Sequence, residues 1–378
     1  MENTQDDELG DLVWDQAEQR AARGDTRFLY ELGVRVADRY AAASEEARRN
    51  ERRLAHLVRV LAFTPGRDSL AQLLRLLDEK EPPHTMGREL RAPYIASLLA
   101  EHQRVDDLAA ALSDARPAGD EPDRLDELRT CLFHELVLRG VDVDAFPPVR
   151  SWSPARHHWH PLNWLPERRR AIEAGAAFPY RSMSGTATRM ATRMPAEGRV
   201  DPPTPRTAER SALRDVATVE VHETIVAAAQ AGDWGDCGAW LFLPDEPVTP
   251  DRVPALLPTL PMHCLEDLAP GGRFEIAVRP VEEVWALLFA TASMGSFQAP
   301  GAQGAYGRLW AWKSLSGLSG APAGATAEEV EHHARQTTWF HFEADSRWFS
   351  NDSFSDYGIA ALSPDGRRIA VLAATDTD

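Results

Sequence analysis

Apolar residues recur three or four positions apart through the first third of the chain, the spacing that lines one side of an α-helix. In RFLYELGVRVADRY the stripe is Phe28, Leu29, Leu32 and Val36; in RRLAHLVRVLAF it is Leu54, Leu57, Val58 and Leu61; in DSLAQLLRLLDEK it is Leu70, Leu73, Leu74 and Leu77. Thr64-Pro65-Gly66 and Pro82-Pro83 interrupt the pattern, because proline cannot donate to a helix ladder and glycine accepts turn geometry. Asp68 and Ser69 are expected to cap the third of these helices,. Two more helices are expected near 88–112 and 123–139, and no strand-like alternation interrupts the run. Short helices joined by short breaks predict antiparallel helical hairpins stacked as an irregular helical repeat over residues 1–140. No fixed period in the ~33–45 residue range of the named repeat families recurs.

The pattern changes near residue 141. VDVDAFPPVRSWSPARHHWHPLNWLPERRR is rich in proline and aromatics, and RSMSGTATRMATRMPAEGRVDPPTPRTAER has little periodicity. Residues 141–210 are therefore expected to form an aromatic and proline-rich joint followed by a long surface loop. Residues 211–378 mix elements: RTAERSALRDVATVEVHETIVAAAQAG, VEEVWALLFATASM and AYGRLWAWKSLSGL read as helices, and CGAWLFLP, RFEIAVRP and TTWFHFEAD as strands. In YGIAALSPDGRRIAVLAATDTD two apolar runs flank Ser363-Pro364-Asp365-Gly366-Arg367, an antiparallel hairpin by its turn chemistry. The fold class expected is α then α+β, a helical-repeat region followed by a mixed domain ending in a β-hairpin.

Composition narrows the function classes. The chain has 378 residues, 43 % of them hydrophobic, and 11 tryptophans, enough to bury substantial cores. The net charge of −17 opposes binding to nucleic acid, whose phosphates attract lysine and arginine. It suits a basic protein partner. Lys80 and Lys313 are the only lysines, so nearly every cation is arginine. Cys131, Cys237 and Cys264 are widely spaced and make neither a disulfide framework nor a metal knuckle,. The acidic start MENTQDDELGDL has no apolar leader segment, and no stretch approaches the ~20 apolar residues that span a bilayer,. A cytoplasmic protein that does not act at a membrane and carries no cofactor is expected; its oligomeric state is not legible.

Four stretches carry candidate chemistry. In RHHWHPLNWLP, His158 and His160 share a face of an extended segment and could hold a metal, but no metal signature surrounds them,. The favoured reading is a structural joint with Trp159, Trp164 and Leu165 buried and no metal. In TASMGSFQAPGAQGAYGRLWAWKSL, glycines precede a helix carrying Tyr306, Arg308, Trp310, Trp312 and Lys313; helix N-termini attract anions, yet neither dinucleotide nor P-loop spacing is present. In FHFEADSRWFSNDSFSDYG the aspartates Asp345, Asp352 and Asp356 read as solvated turn residues. At the end of the chain Asp376 and Asp378 share one side of an extended tail, able to hold a cation or arginines,. No nucleophile–base–acid order assembles, although Cys264 adjoins His263,.

GAYGRLWAWKSLSGLSGAP, TWFHFEADSRWF and GIAALSPDGRRIAVLAATDTD, with HPLNWLP and DPPTPRT, resemble a family of uncharacterised actinobacterial proteins, mostly from streptomycetes. The resemblance spans roughly residues 60–378 and implies that Tyr306, Gly307, Arg308, Trp312, Asp376 and Asp378 belong to the family's pattern; it implies no activity. SNDSFSDYG departs from it. The residues themselves favour a non-enzymatic binding or interaction protein, in one form an immunity- or antitoxin-like protein acting through an acidic surface on a basic partner. The alternative is an enzyme with a pocket between the 304–318 helix and the C-terminal hairpin, using Tyr306, Arg308 and Asp376.

Overall fold

A computed structural model describes residues 10, 12–40, 44–79, 87–112, 125–154, 159–183, 185–187, 199–200, 213–269, 271–296, 299–349 and 356–376. The fold is α then α+β, as the periodicities predict. It divides into two compact units: residues 1–163 with 180–187, and residues 164–179 with 188–378.

The first unit is built from α1 (Ala17–Ala22), α2 (Thr26–Tyr40), α3 (Ser44–Phe63), α4 (Arg67–Glu79), α5 (Ala92–His102), α6 (Val105–Leu112) and α7 (Asp126–Leu138). The apolar stripes of α2, α3 and α4 are its core, with Leu29, Leu32, Val36, Leu57, Leu61, Leu70 and Leu73 all buried. Helix α4 starts one residue before the expected caps. Ser69 is buried in its first turn, where its hydroxyl donates to the Leu61 carbonyl at 2.5 Å across the Pro65-Gly66 corner. The stretch expected to be all loop contains a small hairpin, β1 (Tyr180–Ser182) with β2 (Gly185–Ala187), which belongs to this unit. It is pinned by Arg181, whose guanidinium donates to Glu101 at 3.2 Å.

The second unit is an antiparallel sheet covered on both sides. Its strands are β3 (Arg199–Val200), β4 (Asp236–Phe242), β5 (Phe274–Arg279), β6 (Thr338–Ala344), β7 (Tyr357–Leu362) and β8 (Ile369–Thr375), in the order β3-β5-β6-β7-β8-β4. Phe340, Phe342, Ala360, Leu362 and Val371 pack with Val253, Leu257 and Leu260 from the irregular segment after β4. The helices α8 (Val219–Ala231), α9 (Val281–Met294) and α10 (Gln303–Ser319) pack on one another and on the strands. Burial on both faces explains why β7 and β8 read as unbroken apolar runs rather than alternating ones,. Their hairpin closes as expected, with Gly366 at φ +69° in the turn, a conformation glycine adopts without strain.

The helix expected near 88–112 is two, α5 and α6, and two further elements differ from expectation. Helix α8 begins only at Val219, with the Thr218 hydroxyl accepting from the Val221 amide. Residues before it run beside β4, where the Val216 amide donates to Leu241 and the Asp215 carboxylate accepts from the Leu241 amide at 2.9 Å. That contact covers part of an otherwise open sheet edge. The second is an additional helix, α11 (Ala327–Gln336), which opens on a reciprocal Thr326–Glu329 capping box,.

Candidate functional site

The motif RHHWHPLNWLP splits at the boundary between the units: it belongs to the first through Asn163 and to the second from Trp164. His158 lies outside the described residues. His160 is buried, with Nδ1 accepting the Leu162 amide at 3.1 Å and Nε2 facing the Glu127 carboxylate at 2.7 Å. Acceptance at Nδ1 puts the proton on Nε2 for Glu127, so both ring nitrogens are engaged. Trp159 is 57 % exposed, which corrects the expectation that it is buried. Its ring lies tilted against the His160 ring, with centroids 5.4 Å apart. Leu165 is buried and Trp164 half-buried, edge-on to Trp312 at 6.4 Å, with its indole N–H donating to the Ala325 carbonyl.

The sites expected on α10 fall on opposite faces of the helix. At 100° per residue Arg308 and Trp312 lie within 40° of each other, while Tyr306, Trp310 and Lys313 lie across the helix axis. Arg308 is fully buried. Its Nε and Nη2 donate to the Glu173 carboxylate at 2.7 and 2.9 Å, and Nη1 and Nη2 donate to the carbonyls of Pro166 and Arg168. Glu173, also fully buried, further accepts the Trp312 indole N–H at 2.7 Å and the Arg170 amide at 2.7 Å. Four donors fill the carboxylate's acceptor positions. The cluster ties the segment after Trp164 to α10 and offers nothing to a ligand. Gly307 stands beside it because a Cβ there would meet the Ser293 Cβ at 2.6 Å where α9 crosses α10.

The tail does not join that cluster in a cleft. Asp376 follows β8 and is half-buried, and Asp378 lies outside the described residues. Asp356, expected in a solvated turn, is buried and accepts the Thr375 hydroxyl at 2.7 Å. Cys264 is in the core, and burial pushes its thiol pKa up. Adjacent His263 is exposed and packs between Trp240 and Trp348, so the two form no nucleophile–base pair.

The concave surface lies on the other face of α10. Helices α8 and α10 flank a cavity of about 550 Å³ lined by Glu223, Thr224, Gln230, Trp310 and Lys313. A second, of about 630 Å³, is lined by Glu220, Val221, Leu241, Ser316, Arg368 and Trp164, with a wall of small residues over 320–325. Thr224 and Lys313 line both cavities, so the two meet there. Tyr306, Arg308, Trp312 and Asp376 line neither. The Lys313 ammonium sits 4.3 Å from the centroid of the Trp310 ring, a cation–π contact. It makes no ion pair among the described residues. Lys313 is exposed overall, but the water lost around its ammonium lowers its pKa from the ordinary lysine value,. Arg368 is committed elsewhere: it donates to the Leu318 and Gly317 carbonyls at 2.6 and 2.5 Å, a cation closing the negative end of α10.

Among the described residues, no group of three or more His, Cys, Asp or Glu could hold a metal ion. No helix among them is long and apolar enough to cross a membrane. Residues 11–378 match the model of a family of unknown function (DUF6183), and the chain belongs to that family. No match is found among curated proteins or among solved structures.

Proposed function

We propose that this is a non-enzymatic binding protein whose ligand is a small amphiphilic molecule held in the cleft between α8 and α10. The observation that carries the reading is the meeting of two cavities at Lys313, a cation with no ion pair among the described residues. Each cavity falls in the size range of small-molecule sites, and such sites pair apolar walls with a few convergent polar groups. Val221, Leu241 and Pro322 supply the apolar wall, and Thr224, Ser316 and Lys313 supply the polar groups. The test is a thermal-shift screen of small carboxylates, ketones and aldehydes, followed by calorimetry. A ligand at a hundred times its Kd stabilises by about 2.7 kcal/mol, a shift easily read. Thr224→Trp, which fills the junction, abolishes the shift while leaving the circular dichroism unchanged. A ligand that binds Thr224→Trp as well as the parent removes the cleft from consideration.

A second reading is favoured by the net charge of −17. In it the protein acts through its acidic surface on a basic protein, as an immunity or antitoxin protein does. Steered association of opposite charges weakens steeply with salt. Basic products of neighbouring genes are the partners to test, and association unaffected between 0.05 and 0.5 M salt would remove this reading.

A further inference from the structure

The choice of lysine at position 313 is chemically informative. The chain carries 41 lysines and arginines, of which Lys80 and Lys313 alone are lysines. Arginine serves wherever this fold needs a fixed positive charge, in the buried Arg308–Glu173 pair and at the end of α10 under Arg368. A guanidinium stays charged at any physiological pH, whereas a lysine amine loses its proton and becomes a nucleophile when its surroundings disfavour the charge. The single lysine among the described residues stands in the wall shared by two cavities with no carboxylate paired to it; the indole face beside its nitrogen favours the charged form, and the loss of water around it opposes that,. A site needing only positive charge would be served by arginine at no cost.

We infer that Lys313 binds its ligand covalently, as an imine with an aldehyde or ketone group of the molecule in the cleft. The inference rests on the cleft reading and names the ligand class. The neutral Nζ lone pair attacks the carbonyl carbon, and the C=O π pair moves to oxygen. A proton passes from nitrogen to that oxygen, and the carbinolamine then expels water to leave C=N. One amine and one carbonyl give one imine and one water, with no oxidant or reductant. Glu223 lines the same cavity, and its carboxylate can take and return the proton. Desolvation of the ammonium raises the fraction of amine at neutral pH,.

The experiment is reductive trapping on the full chain with two probes, formaldehyde and 4-carboxybenzaldehyde, each with cyanoborohydride, read by peptide mass mapping. Formaldehyde enters any site and reports the amine alone; the larger aldehyde also tests the cleft. Lys313 is expected to be trapped several-fold faster than Lys80, and to reach half its maximal rate at a lower pH than in guanidinium-denatured chain. Thr224→Trp is expected to block the larger probe there and spare formaldehyde. Lys313 trapped no faster, and with the same pH midpoint, as in the denatured chain overturns the inference. If in that case 4-methylbenzoate still binds the parent but not Thr224→Trp, the cleft reading stands without the covalent step.

Discussion

Two cations on helix α10 receive opposite treatment. Arg308 faces inward and is held by Glu173 and two carbonyls, fully out of water. Lys313, five residues on, faces a cleft with only an indole beside it. Removing a charge from water costs several kcal/mol, and the protein recovers that cost for Arg308 by filling its donors and the facing acceptors. Lys313 is only partly desolvated and keeps its nitrogen available. Charge position on a helix therefore separates a residue locked into the fold from one left open to a cleft. His341 on β6 shows a third solution: buried, it is held neutral, its pKa lowered to about 4 by burial and then by the charge of Arg279.

The sharpest way to break this contrast is to take away the inward partner. Glu173→Ala leaves Arg308 charged, buried and unpaired, and is expected to cost ~3–5 kcal/mol, read as a fall in the denaturant midpoint. Glu173→Leu combined with Arg308→Met, which removes both charges, should cost clearly less. A single mutant as stable as the parent would mean that Arg308 reaches water.

Acid titration comes next. Because the folded pKa of His341 lies below the ordinary value, the unfolded chain takes up the proton first. Its stabilising contribution is thus complete above about pH 6.5 and is lost as pH falls toward about 4. The loss amounts to about 3 kcal/mol. His341→Leu should flatten the stability slope over that window relative to the parent; parallel slopes would show that the imidazole is already charged when folded. Trp164→Ala, at a half-buried ring with one hydrogen bond, should cost roughly 2 kcal/mol, below the ~3–5 of a core tryptophan. The smallest effect is expected at the other face. Lys313→Met should change stability by less than about 0.5 kcal/mol while abolishing ligand-induced thermal shift.

Helices α2, α3 and α4 were readable because each carries an apolar stripe that it buries, so the spacing of Leu54, Leu57, Val58 and Leu61 alone reveals α3; α7, buried on all sides, has no such stripe. The final hairpin was readable from its turn residues. Helix α11 carried a signal that periodicity misses, Thr326 at the cap and Glu329 three residues on in the first turn. Its apolar side is only Ala327, Val330 and Ala334. The run before α8 looked helical, yet Asp215 is spent on the β4 edge, a pairing between distant residues that local pattern cannot show. The site was the hardest part. Tyr306 and Arg308 differ by two positions, which on a helix sets them about 200° apart, so the grouping of Tyr306, Arg308 and Trp312 conflicted with the helix expected there. Lys313 could have been singled out by its rarity; Thr224 and Glu223 could not, since only the packing of α8 on α10 brings them to it.

The order in which the chain visits the two units has a consequence for how the protein is made. Residues 164–179 belong to the second unit, 180–187 return to the first, and the rest completes the second. Neither unit can be excised as one uninterrupted stretch. Glu173 is also synthesised 135 residues before Arg308, which at ~5–20 residues per second is a wait of roughly 7–27 s. Through that interval the carboxylate lacks the donors of Arg308 and Trp312. The buried cluster around Glu173 can be completed only once α10 has been made.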